Sequence, residues 1–131
     1  MRGNIFLLTV LLLQSVWVPA QETRVSNGFI QDSLSVGEPV DFWLAITYPD
    51  QMEALFPDST STAFAPFEYM GKTYFPTRVL PGEQAYDSIV YRLQSFEIDA
   101  VQYLQLPVYL FDRRDSTTRL SGLDSIVFRD L

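Results

Sequence analysis

The chain contains no histidine and no cysteine. That removes histidine-based triads, thiol nucleophiles and most zinc or redox sites, and the remaining residues imply no cofactor. Acid–base work would fall to carboxylates in the paired setting that glycoside hydrolysis needs. Sixteen acidic residues are scattered along the chain without such a setting, so it reads as a protein that is not an enzyme. Asp112, Asp115 and Asp124 offer oxygen ligands of the kind calcium prefers, but no Asp-x-Asp-x-Asp-Gly loop accompanies them. They read as solvated turn residues, and no metal site is assigned. The aromatic residues carry more information. Trp43, Tyr69, Tyr74, Phe75 and Tyr86 cannot all point into a core if their strands alternate. An exposed strip made of them would dock onto a partner protein or stack on sugar rings. Local accounts compete with that strip. Trp43 would face the second side of a sheet under a loop, and Tyr69 and Tyr74 would pair across a hairpin.

Charge narrows the choice of partner. Nine basic and sixteen acidic residues give a formal net charge of -7. Arg113 and Arg114 form the only basic pair, whereas a phosphate backbone needs a concentrated positive surface. Nucleic acid is therefore excluded as an expected partner. Residues 1–20 have the layout of a secretory signal peptide. Arg2 opens it, an apolar run follows from Ile5 to Leu13, and Val18-Pro-Ala20 ends it. The apolar run is shorter than the roughly 20 residues of a spanning helix, so cleavage after Ala20 is expected. No asparagine glycosylation sequon is present, and the lack of cysteine fits a bacterial envelope better than a disulfide-stapled eukaryotic domain.

The elements that would position the aromatic residues are strands. From Val40 the residues alternate, with Val40, Phe42, Leu44, Ile46 and Tyr48 on one face and Asp41, Trp43, Ala45 and Thr47 on the other. A first strand is expected at Arg24–Ile30 and a short extended piece at Glu53–Pro57. A hairpin around Gly71-Lys72 would join Phe64–Met70 to Thr73–Val79. Further strands are expected at Tyr86–Phe96, Val101–Phe111 and Thr117–Phe128, the last bulged at Gly122, with Asp112–Asp115 as a turn. Turn signals roughly every ten residues and the lack of a helical pattern predict an all-β fold. It would be an immunoglobulin-like β-sandwich of about seven to nine strands over residues 21–131. Leu44, Ile46, Leu93, Leu106 and Val108 would share its core. Tyr103 could fold back as a corner tyrosine, but Leu104, Leu106, Val108 and Leu110 claim the core side of that strand, and a one-residue slip would expose all four.

The phrase Leu34-Ser-Val-Gly-Glu-Pro-Val40 resembles the opening of BatD-like, or oxygen-tolerance, envelope ectodomains of Bacteroidetes-type bacteria. Leu55-Phe-Pro-Asp58, Tyr91-Arg-Leu-Gln-Ser-Phe96 and Leu104-Gln-Leu-Pro107 are similar to later parts of those domains. The resemblance implies export, immunoglobulin-like domains outside the inner membrane, and a membrane helix further along the full protein. It brings no catalytic residues. The resulting expectation is a non-enzymatic ectodomain at the periplasm or the outer face of the inner membrane. It would bind an envelope or membrane protein through Trp43, Tyr69, Tyr74, Phe75 and Tyr86. A carbohydrate-binding sandwich is the alternative.

Overall fold

The fold is built around Val40–Pro49, a ten-residue strand, β3, in a computed structural model that describes residues 23–129. The signal peptide expected over residues 1–20 lies outside the described residues. Val40, Phe42, Leu44, Ile46 and Tyr48 are all buried, as the alternation predicts. The first layer forms around β3. It pairs antiparallel with β1 (Arg24–Phe29) on one side and with β6 (Gln84–Gln94) on the other. Its register sets Val40 opposite Leu93, Phe42 opposite Tyr91 and Leu44 opposite Ile89. These pairs make one continuous apolar surface, because residues opposite each other share a face. Strand β5 (Glu68–Leu80) closes the layer in the order β1-β3-β6-β5.

The second layer is assembled from shorter pieces. Strands β7 (Val101–Leu104) and β8 (Pro107–Phe111) are consecutive parts of one extended run, as are β9 (Ser116–Leu120) and β10 (Asp124–Phe128). β8 pairs with β9 and β7 with β10, both antiparallel. β2 (Ser33–Leu34) adds in parallel to β10, and β4 (Glu53–Leu55) adds antiparallel to β8. The layer therefore runs from β2 through β10 and β9, then β7 and β8, to β4. With the first layer this is the strand order of an immunoglobulin-like sandwich, the leading strand being divided between the two sheets. Leu104, Leu106, Val108, Leu110 and Ile126 join the first-layer residues in one buried cluster. Fully burying each such side chain contributes about 1.5–3 kcal/mol.

The break between β7 and β8 is held by one side chain. Leu106 is fully buried just before Pro107, and its backbone groups need partners. Ser121 supplies them from the other strand. Its N–H donates to Leu106 O at 2.8 Å, and its Oγ accepts from Leu106 N at 2.8 Å. Gln105 Nε2 donates to Ser121 O at 2.9 Å. Gly37, at φ 72°, turns the chain into β3, and a Cβ there would stand 3.1 Å from the Phe96 ring.

Two expectations need correction, and the conflict over Tyr103 is resolved in favour of the leucine face. No hairpin forms at Gly71-Lys72. β5 runs straight through them, pairing Gly71 with Arg92 and Lys72 with Tyr91. Gly71 does not take the positive φ that a two-residue hairpin turn would require. Two irregularities, between Tyr69 and Gly71 and between Phe75 and Arg78, absorb the extra residues, and Pro76 is tolerated because β5 is an edge. Phe64 is not in a strand but ends a short 3-10 helix, Thr62–Phe64. The corner before β7 is not held by Tyr103, which points to solvent. Gln102 holds it, on the same side as the leucines. Its Oε1 accepts from Ser95 Oγ at 2.5 Å, and its Nε2 donates to Glu97 O at 2.9 Å.

Two consequences can be measured by urea unfolding. Leu106→Ala should lose about 2–5 kcal/mol, and a loss below about 1 kcal/mol would contradict its place in the core. Gln102→Ala should cost about 1–3 kcal/mol by orphaning the buried Ser95 hydroxyl. Tyr103→Phe should stay within about 0.5 kcal/mol of the unmutated chain, and a large effect there would restore the corner-tyrosine account.

Candidate functional site

The register of the first layer divides the five aromatic residues between its two sides. Trp43 lies in a row with Gly28, Val90 and Thr73, and Phe75 lies in a row with Ser88 and Ala45. Tyr86 stands beside Thr47 and Arg78. These three side chains share the outer face. The indole of Trp43 lies against the β1 backbone, where a Cβ on Gly28 would come within 3.0 Å of its Nε1. Glycine at that position is what allows the close approach. The Arg78 guanidinium sits 4.7 Å above the Tyr86 ring, a cation–π contact. Tyr69 and Tyr74 face the other way, in register with the core residues Leu93 and Ile89. Tyr69 packs 5.5 Å from Phe64 and 6.2 Å from Tyr91 between ring centroids, and Tyr74 packs 6.2 Å from Phe56. Trp43, Phe75 and Tyr86 are thus brought onto one surface, and Tyr69 and Tyr74 are not part of it.

The inner side of β6 carries polar chemistry that the sequence reading did not single out. Asp87 is buried between Ala85 and Ile89. Tyr48 OH donates to its Oδ2 at 2.6 Å, and Thr77, turned inward by the irregularity in β5, donates its hydroxyl to Oδ1. Loss of hydration on burial, followed by the bond to the Asp87 carboxylate, holds the Tyr48 phenol protonated well above the ordinary tyrosine range. Tyr91 behaves alike, chiefly through burial, and its OH donates to Pro57 O at 2.6 Å. That bond and the T-shaped contact with Phe64, at 4.9 Å, fasten the β4–β5 connection to the core.

Of the three aspartates considered as calcium ligands, Asp112 and Asp124 are engaged elsewhere, and Asp115 has no side-chain hydrogen bond among the described residues. Asp112 Oδ1 accepts from the backbone N–H of Arg114 and Asp115, which lowers its pKa within the hairpin turn. Asp124 Oδ2 accepts from Phe29 N at 2.8 Å and its Oδ1 from Ser125 N at 2.9 Å. Among the described residues no three acidic side chains gather as a metal site.

The outer face of the second layer is largely apolar. Every outward position from 101 to 111 is uncharged: Val101, Tyr103, Gln105, Pro107, Tyr109 and Phe111. Tyr103 is 52% exposed and Tyr109 40%. Val127 flanks Val101, Leu120 flanks Pro107 and Leu55 flanks Tyr109, and all three are exposed. Beside Tyr109 a shallow hollow of ≈ 380 Å³ extends to Asp58, Thr60 and Ser61. The sequence held a signal for this face. A strand with one wet side normally alternates apolar with polar residues, and Val101–Phe111 contains no charged residue at all. Its odd positions are nearly as apolar as its leucine side.

The two protonated phenols set an alkaline limit on the fold. In the unfolded chain Tyr48 and Tyr91 ionise near pH 10, so their contribution is complete below about pH 10 and is lost as pH rises toward the higher folded values. Urea unfolding at about pH 8 and about pH 11 should show a smaller loss of stability in Tyr91→Phe than in the unmutated chain. An equal loss in both would rule out Tyr91 as a contributor. In comparisons with known proteins, no protein-family model, no curated protein and no solved structure matches the chain.

Proposed function

We propose that this chain is an exported, non-enzymatic domain of the bacterial envelope that docks onto another protein. The observation that carries the reading is the outer face of the second layer. There Val101, Tyr103, Tyr109, Leu55, Leu120 and Val127 leave a run of apolar surface in solvent along adjacent strands. Contiguous apolar surface of this kind is what a stable protein contact removes from water. Tyrosine suits it, because the ring is buried while the hydroxyl stays at a wet rim. The outer face of the first layer fits less well, since Asp41, Arg92, Ser88, Thr47 and Arg78 interleave with Trp43, Phe75 and Tyr86.

The layout of residues 1–20 supports export, and the phrases similar to BatD-like ectodomains support a place at the periplasm or the outer face of the inner membrane. On that reading the partner is an envelope or membrane protein, and a membrane helix lies further along the full protein. A net charge of -7 argues against a nucleic-acid partner. A sugar-binding reading has one observation in its favour: the hollow beside Tyr109 joins an aromatic face to the Asp58 carboxylate and the hydroxyls of Thr60 and Ser61.

Photo-crosslinking in intact cells tests the docking face. A crosslinking amino acid at position 103 or 109 should give a discrete adduct with one protein, whereas position 73, on the opposite face, should give none. With the chain present at normal level, the lack of an adduct at both 103 and 109 would defeat the proposal. A glycan array that shows binding lost in Tyr109→Ala would favour the sugar reading instead.

A further inference from the structure

The edge of the second layer formed by β9 and β10 is closed along most of its length. β2 pairs with Val127 and Phe128. The Asn27 amide bonds both backbone groups of Gly122, donating to its O at 2.9 Å and accepting from its N at 2.8 Å. Phe29 N is spent on Asp124. Nothing among the described residues covers Ser116–Leu120, where all five residues are exposed.

β1, the other edge of the first layer, is tied to the second layer through Asn27 and Phe29, and the remaining edges carry devices that block strand addition. β5 has two irregularities, Pro76, Lys72 and Arg78, while β2 and β4 are two and three residues long. β9 has no proline, and its pairing with β8 is unbroken.

The hydrogen-bond phase of this edge is fixed. Ser121 N donates to Leu106 O, and Asp112 N donates to Asp115 O. Bonded and non-bonded pairs alternate in an antiparallel ladder. Thr117 and Arg119 therefore bond inward to β8, and Ser116 and Thr118 turn their N–H and C=O groups outward.

We propose that a second copy of this chain pairs with β9, antiparallel, about a two-fold axis at Thr117. This register sets the outward groups of Ser116 against those of Thr118 in the other copy, twice over. It also sets Arg119 directly opposite Asp115 of the second copy, again twice, and Thr117 opposite its own equivalent. Opposite charges and threonine pairs across strands are both favourable. Within one copy neither the Arg119 nor the Asp115 side chain has a hydrogen bond or ion pair among the described residues. Their charges are left for a partner, and the isologous contact supplies it. The second layer then continues without interruption from one copy into the other, and its apolar outer face stays open.

Sedimentation velocity over a concentration series, on protein recovered from cells expressing the full chain, tests this. A monomer–dimer equilibrium is expected. Thr118→Pro removes an N–H that β8 does not use, so the fold should persist by circular dichroism while the dimer is lost. Asp115→Arg and Arg119→Asp should each weaken the dimer about tenfold or more through like-charge contacts, and the double variant should restore it. Tyr103→Asp, on the outer face, should leave it unchanged. A chain that remains monomeric up to about 1 mM, a dimer that survives Thr118→Pro, or a double charge reversal that fails to restore association would each overturn the proposal.

Discussion

Two alternating apolar faces must meet in this protein, and the rest of the structure follows from that meeting. Val40, Phe42, Leu44 and Ile46 supply one face from the centre of the first layer, with Ile89, Tyr91 and Leu93 beside them. Leu104, Leu106, Val108 and Leu110 supply the other. Each set obeys a period of two, so a one-residue slip of either strand would turn its whole apolar set to solvent. The penalty is shared across four or more side chains per face. That makes the register of β3 and of β7–β8 the constraint to which loops, edges and outer surfaces adapt.

Buried polar groups act where that apolar rule is interrupted. Ser121 satisfies Leu106 at the break between β7 and β8. Gln102 ties the corner to Ser95 and Glu97. Asp87 gathers Tyr48 and Thr77 at the irregularity in β5. Each reaches across to a different part of the chain, and each would leave a costly unpaired group if its strand were misplaced. Among the described residues only the Ser35 hydroxyl is buried without a partner. These contacts refine a register that burial has already chosen, at the places where extended geometry fails.

The outer surfaces differ for the same structural reason. On the first layer, charged and hydroxyl side chains separate Trp43, Phe75 and Tyr86, and Arg78 caps Tyr86. On the second, the outward residues of Val101–Phe111 lie next to Val127, Leu120 and Leu55, so separate stretches of chain build one apolar area. The proposed docking function rests on this sum over neighbouring strands. The β9 edge adjoins it at Leu120 but differs from it in chemistry. It offers backbone groups and two opposite charges, whereas the face offers area.

The sequence by itself determined the strands and their inward sides. The alternation from Val40 to Tyr48 and the leucines from 104 to 110 place the core, because a period of two leaves few options once one side is dry. It also determined the narrow chemistry, since a chain without histidine or cysteine cannot assemble the sites those residues make. Local pattern could not decide whether Gly71-Lys72 turns or extends. Glycine permits both, and only the unbroken length of β6 alongside makes extension the better-bonded choice. Nor could it show that Gln102 rather than Tyr103 would hold the corner, which depends on how Ser95 and Glu97 come back to meet that strand. Apart from the uncharged run of Val101–Phe111, the grouping of surface residues was left to tertiary structure. Trp43 and Tyr74 are both exposed aromatics on one sheet, yet pairing register sets them on opposite sides, while Tyr109 and Leu55, far apart in the chain, become neighbours. A face is defined by which strands lie side by side, and that is fixed by long-range pairing that no single strand encodes.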